Sequence, residues 1–388
     1  MMSTHVRRVA IASIASVALA FSLSACAGAS GSSDNAEIVV GATGPVTGPN
    51  AAINVLLEGA AARFDELNAA GGINGHKVKF VVKDDQYNPA QTPQQVSQLV
   101  EDEGANMICA LVGTGPYAAV NDYLGSKGIL GVPASGSAKL LNDHTYEILA
   151  PYGPLGARLV GYAVDTLKQT KIAIAYSADD VGQPFRDGAV DELTRLGITP
   201  VAEIKFDATA TDFSAQAAQL KQSGADFVLI NHVPTVVAQV QNAATKIGYT
   251  PNWGAGFPAA SSQLVDLAPE AAAKTYFAYP FLLADSSEAS AFQNAMKTYS
   301  PNTDTSGVYP IEGYTMADGC VEVLRKAVDL AGGGSPSKEQ ILQAAAGLTI
   351  NTDYVKDLTW TTDDHSGQKT SQIVAVKNGQ FVSVDGFK

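Results

Sequence analysis

Short apolar runs alternate with longer stretches of helical apolar spacing along this chain, and that alternation restricts the fold more than any other feature. Runs at 38–41, 78–82, 107–112, 129–132, 172–176, 201–206 and 227–230 have the length and the flanking turn residues of buried strands. Between them, 56–68, 93–103, 117–127, 184–196, 213–222 and 235–247 carry apolar residues at helical spacing. Starts such as Thr211-Asp212, ahead of Phe213, offer side-chain oxygens to the free amides of a first turn. Strands and helices in strict turn predict an α/β fold: parallel sheets with helices on both faces and right-handed crossovers.

The alternation runs twice. Pro151, Gly153 and Pro154 mark a seam, after which a helical stretch at 153–168 opens a second series. Beyond 276–280 the texture changes to helices at 289–299, 313–330 and 338–346, the last two separated by Gly332-Gly333-Gly334. Short strands follow at 358–361, 372–377 and 381–384, with Asn378-Gly379 as a hairpin turn. The hydrophobic content of 46% is ample for two cores in a chain of this length.

The first residues read as an address rather than as structure. Arg7 and Arg8 precede an uncharged run at 9–22, and Leu23-Ser24-Ala25-Cys26 ends it with small residues, the pattern of an export signal. The run is too short to span a bilayer, which takes about 20 apolar residues. A cysteine directly behind such a cut resembles the lipobox of bacterial lipoproteins; the resemblance implies that Cys26 is lipidated and becomes the mature N-terminus. Residues 27–35 have no large apolar side chain and read as a tether. The formal charge of −13, more negative once Arg7 and Arg8 are removed, excludes nucleic acid and anionic membrane surfaces as partners. Cys109 and Cys320 are too few for a disulfide framework and leave pairing open, although the apolar run around Cys109 favours a buried thiol.

Four stretches together resemble the type I periplasmic binding proteins, specifically the branched-chain amino acid (Leu/Ile/Val) receptors of ABC importers. They are Gly44-Pro45; Asn68-Ala69-Ala70-Gly71-Gly72-Ile73-Asn74-Gly75; Asp84-Asp85 with Pro89; and Gly128-Ile129-Leu130 with Pro133-Ala134-Ser135. Asp212-Phe213-Ser214 and Gly224-Ala225-Asp226-Phe227-Val228 extend the similarity over the mature chain. It implies two Rossmann-like lobes joined by crossover hinge strands that close on a ligand. On that basis residues 1–25 are the signal and 26–36 the lipidated tether. Residues 37–150 plus 282–352 form an N-terminal lobe, and 151–281 plus 353–388 a C-terminal lobe. Locally, Asp85 and Asn88 stand where they can cap the helix after Pro89 and Pro93, so the Asp84-Asp85 pair reads as structural rather than metal-binding.

In open α/β sheets ligands bind beyond the carboxyl ends of strands. Gly113, Thr114 and Gly115 follow the third strand, Ser135, Gly136 and Ser137 the fourth, and 41–49 is a glycine- and proline-rich loop after the first. The resemblance implies that Thr114 and the 135–137 loop hold a ligand carboxylate. The second series offers 177–180 (with Asp180), Asn231, His232 and 254–257 (with Phe257). The chain departs from the family here. The acid that holds the α-ammonium falls near Gly256, with no Asp or Glu at 251–262, and Val181 stands where an aromatic is expected. Either Asp179 or Asp180 compensates, or the ligand is an aromatic or aliphatic carboxylate or an amide. Tyr117, Tyr152, Trp253 and Phe257 are candidates for its walls.

Nothing points to catalysis. Gly113-Thr114-Gly115-Pro116-Tyr117-Ala118 fits a loose dinucleotide pattern but lacks the ribose-binding acid about 20 residues on. The five histidines are scattered, and no nucleophile elbow, P-loop or zinc motif is present. The expectation is a monomeric receptor without cofactor. It binds a small molecule, is held to the membrane by its lipid and hands its ligand to ABC permease subunits. A sensor reporting to a separate signalling partner is the alternative.

Overall fold

β1 (Ile38–Gly44), β2 (Val78–Asp84), β3 (Met107–Val112) and β4 (Leu130–Ala134) pair in parallel in the order β2-β1-β3-β4. The computed structural model describes residues 36–388; Cys26, the export signal and nearly all of the tether lie outside them. β3 is buried along its whole length, as a parallel strand covered on both faces must be. α1 (Val55–Ala69) covers one face and α2 (Thr92–Glu101) the other, with the short α3 (Thr114–Ala118) and α4 (Asn121–Ser126) leading from β3 to β4. The single helix expected at 117–127 is these two; the first begins earlier because Pro116 suits a first turn, where no amide bond is needed.

The second series builds a larger sheet. α5 (Tyr152–Asp165), β5 (Ile172–Ser177), α6 (Gly182–Arg195), β6 (Ala202–Phe206), α7 (Ser214–Ser223), β7 (Phe227–Ile230), α8 (Pro234–Lys246), β8 (Asn252–Gly256), α9 (Ser262–Leu267), α10 (Pro269–Ala272) and β9 (Thr275–Tyr279) follow in sequence. The chain then returns to the four-stranded half with α11 (Ser290–Tyr299), α12 (Tyr309–Leu330) and α13 (Lys338–Ala345) and the small ladder of β10 (Thr349–Ile350) and β11 (Leu358–Thr359). β12 (Gln372–Lys377) and β13 (Gln380–Asp385) close the seven-stranded sheet β13-β12-β9-β8-β7-β5-β6 as an antiparallel edge.

Three segments run between the halves side by side: Gln368 N–H donates to Ile148 O at 3.1 Å, and Gln372 Nε2 to Phe281 O at 2.7 Å. Residues 353–365, assigned from sequence to the C-terminal lobe, keep their contacts with the four-stranded half. Tyr354 stacks edge-on against Tyr314, and Trp360 Nε1 donates to Glu147 O at 2.9 Å.

α12 sets up the site. It crosses α1 at two glycines, where a side chain on Gly313 would meet Leu56 O at 1.8 Å and one on Gly59 would meet Pro310 O at 2.0 Å. Its first turn holds Tyr309, Pro310, Ile311 and Glu312, four residues that the sequence reading left outside the helix. The buried thiol expected at Cys109 is instead a disulfide to Cys320, tying β3 to α12 with the Cα atoms 6.7 Å apart. The apolar run around Cys109 signals burial correctly, but its partner comes from 211 residues away.

Candidate functional site

A cavity lies where the carboxyl ends of the parallel strands of both sheets converge. Ile53, Leu56, Tyr87, Val112, Gly113, Thr114, Ala134, Tyr309 and Glu312 line it from the four-stranded half, and Tyr152, Val181, Val233, Phe257 and Pro258 from the other. Its volume is about 30 Å³, so a solute larger than a few waters enters only when the halves part.

Thr114 opens α3 directly after β3, and its buried hydroxyl pairs with Ser135 Oγ at 2.8 Å and Tyr152 Oη at 3.5 Å. Burial pushes the Tyr152 phenol up to about 12, against the bond to Thr114. Gly113 has φ +105°, and a side chain there would strike the Tyr87 ring at 2.6 Å. Tyr87 follows Gln86, both at left-handed φ (59° and 56°), and Asp85 Oδ1 accepts its amide at 2.9 Å. Asp85 also accepts the Thr43 and Thr92 hydroxyls, and burial raises its pKa more than these bonds lower it. Asp84 accepts from Thr47 and Gln86, so the acidic pair shapes the loop that carries Tyr87. Neither acid caps α2, as the sequence suggested of Asp85.

The candidates from sequence divide by position. Gly113, Thr114 and Phe257 line the cavity, and Tyr152 joins them. Ser135 stands one hydrogen bond behind Thr114 and accepts from Ser137 N–H at 3.1 Å, while Ser137 Oγ is buried without a partner. Gly136 allows its loop to touch the Tyr152 ring and Ala150 O. Gly115 is exposed on the outer side of α3. Tyr117 points away: its ring fills the slot over Gly131, and its hydroxyl meets Thr145 Oγ1 at 2.9 Å. Trp253 is buried in the core of the seven-stranded half.

Asp180 sits at the rim, where its carboxylate pairs with Lys139 of the other half at 2.7 Å. Asp179, also partly exposed, accepts from Ser177 Oγ and the Val181 and Gly182 amides, with His232 Nε2 at 3.4 Å. Burial works to raise its pKa, but the bonds from His232, Gly182 and Ser177 hold it well below the usual carboxylate range. Asn231 donates to Val181 O at 3.1 Å, and its buried Oδ1 has no partner. That oxygen explains Gly256, since any side chain there would meet it at 2.0 Å. A larger residue at 256 would require the Asn231 side chain to move.

Sequence reading missed Ile53, Leu56, Tyr87, Val233, Pro258, Tyr309 and Glu312 as lining residues. Glu312 is the charged one. It is buried at 2% exposure, its Oε2 has no hydrogen-bond partner, and burial raises its pKa well above the usual carboxyl range. The available signal was a lone acid in a stretch, 305–317, with no other charge. Tyr309 beside it donates across the cavity wall to Pro258 O at 2.6 Å. Among the described residues no helix is long and apolar enough to cross a membrane, and no cluster of His, Cys, Asp or Glu is arranged to hold a metal.

Two sheets whose carboxyl ends face each other across a cavity, joined by three adjacent strand-like crossings, define a class of two-lobed solute-binding proteins. The chain belongs to the periplasmic binding protein family, whose model matches residues 37–380. Over 201 residues it is 29% identical to the Leu/Ile/Val-binding protein homolog 3 of Brucella melitensis, a match covering 50% of this chain and 54% of that protein. The chain thus spans about half the length of such curated relatives in the aligned region. Among solved structures, a fatty acid ABC transporter substrate-binding protein from Thermomonospora curvata superposes with a TM-score of 0.80 at 19% identity, covering 91% of this chain and 92% of that one. A branched-chain amino acid ABC transporter protein from Thermus thermophilus with bound valine gives 0.78 at 21%, covering 91% and 96%. These likenesses establish the fold.

Proposed function

We propose that the protein is the extracytoplasmic receptor of an ABC importer of the branched-chain amino acid type. It closes its two lobes on a compact solute and presents the closed form to a permease. The observation that carries this reading is the cavity built from both halves, with Thr114 and the Ser135 loop on one side and Val181, Val233 and Phe257 on the other. Hydroxyls at the strand ends suit a carboxylate, and apolar walls suit a short aliphatic or aromatic side chain. The curated relative named for Leu, Ile and Val, and the neighbour holding valine, support this ligand class. Closure gives the two states different contacts with the solute, which is what lets a ligand shift the balance between them. Lipidation at Cys26 would keep a monomeric receptor near its transporter, raising its effective concentration there.

A thermal-shift screen of L-leucine, L-isoleucine, L-valine and small organic acids tests the reading, because a solute that binds only the folded state raises the melting temperature. The expected result is stabilisation by at least one of them. Thr114→Ala should weaken that ligand about 10-fold or more, the worth of a hydrogen bond to a charged group, with an unchanged circular dichroism spectrum. Full affinity in Thr114→Ala would remove the hydroxyl from the site.

A further inference from the structure

We propose that Glu312 is the counter-charge for a ligand ammonium, so that the cavity takes an amino acid whose amine is held by the four-stranded half rather than by the facing one. This rests on the reading of the cavity as the ligand site. The acid expected near position 256 is absent, and Asn231 Oδ1 fills the space a side chain there would enter. The other acids near the cleft are committed: Asp179 to Ser177, two amides and His232, and Asp180 to Lys139 at the rim. Glu312 alone lines the cavity with a carboxyl oxygen that is buried and unpartnered.

Its surroundings ask for a positive charge. The lining residues include no Lys, Arg or His, and no cation acts on Glu312. The groups facing it are phenols: Tyr309 on its own helix, Tyr87 after β2, Tyr152 at the start of α5 and Tyr279 at the end of β9. Tyr309 already donates to Pro258 O. A carboxylate ligand without an amine would be buried with no positive group in the lining to offset its charge, a costly burial. An amino acid supplies the missing cation and leaves its own carboxylate to Thr114 and the Ser135 loop. Burial raises the Glu312 pKa in the free protein and an ammonium favours its charged form, so pairing draws a proton off it.

Matched probes decide the matter. L-Leucine, L-valine and L-phenylalanine are titrated calorimetrically against their deaminated counterparts 4-methylpentanoate, 3-methylbutanoate and 3-phenylpropanoate, at pH 6 in two buffers of different ionisation heat. The expected result is binding of an amino acid, a loss of about 100-fold in its deaminated partner, and proton release on binding. Glu312→Gln, checked for folding by circular dichroism, should lose about 100-fold for the amino acid. Equal or tighter binding of a deaminated acid, or unchanged amino acid affinity in a folded Glu312→Gln, overturns the assignment while leaving the receptor reading intact. No binding by any of the six probes overturns both.

Discussion

Burying Glu312 costs the folded state stability, and its titration gives the sign. The unfolded chain loses this proton near the ordinary carboxyl pKa, whereas burial raises the folded value well above it. Between the two, the folded state binds more protons than the unfolded one, so stability is highest below the unfolded value and falls as pH rises toward the folded one. Glu147 acts in the same direction: it is buried with both carboxyl oxygens unpartnered, and burial outweighs the attraction of Lys369. Glu312→Gln should therefore melt higher than the parent at pH 8, and the difference should shrink toward pH 4. Scanning calorimetry across that range checks it, and equal melting temperatures at both ends would deny the buried titration. A site residue that costs stability until its ligand arrives is what a binding cavity is expected to contain.

At the scale of elements, the staple between β3 and α12 matters most. It closes a very long loop: removing a native bridge typically costs roughly 2–5 kcal/mol, and the chain-entropy account puts one of that separation at the upper end. The doubly substituted Cys109→Ser, Cys320→Ser protein should lose that much in denaturant unfolding, and reductant should lower the parent's melting temperature but not the variant's. The strand runs and most helices were legible because burial repeats with the period of the element, and so were Gly113, Thr114 and Phe257 at strand ends. Three things were not. The first turn of α12 was hidden because Pro310 looks like a boundary, although a proline is at home there, and Glu312 went with it. Tyr87 rests on two left-handed residues held by Asp85, a contact no local pattern announces. Tyr117 was drawn away by Gly131, whose lack of a side chain opens a slot in β4.

For the whole molecule, the question is what holds the halves together. Lys139–Asp180 spans the rim, but both side chains are well exposed, and such a pair contributes about 0–1 kcal/mol. Lys139→Ala should accordingly leave ligand affinity within about fivefold of the parent. Compaction on adding ligand, measured by small-angle scattering, should be the same in the variant as in the parent. A larger loss would make the rim a latch. The three adjacent crossings leave bending as the available motion, with each half moving as a unit. Within one of those units, the Cys109–Cys320 bond bolts the helix bearing Glu312 to the strand that leads into Thr114. The gap between these two side chains is then set by covalent framework before any solute arrives. If Glu312 and Thr114 hold the two ends of a ligand as proposed, that fixed gap acts as a gauge, sorting molecules by how far apart they carry their opposite charges.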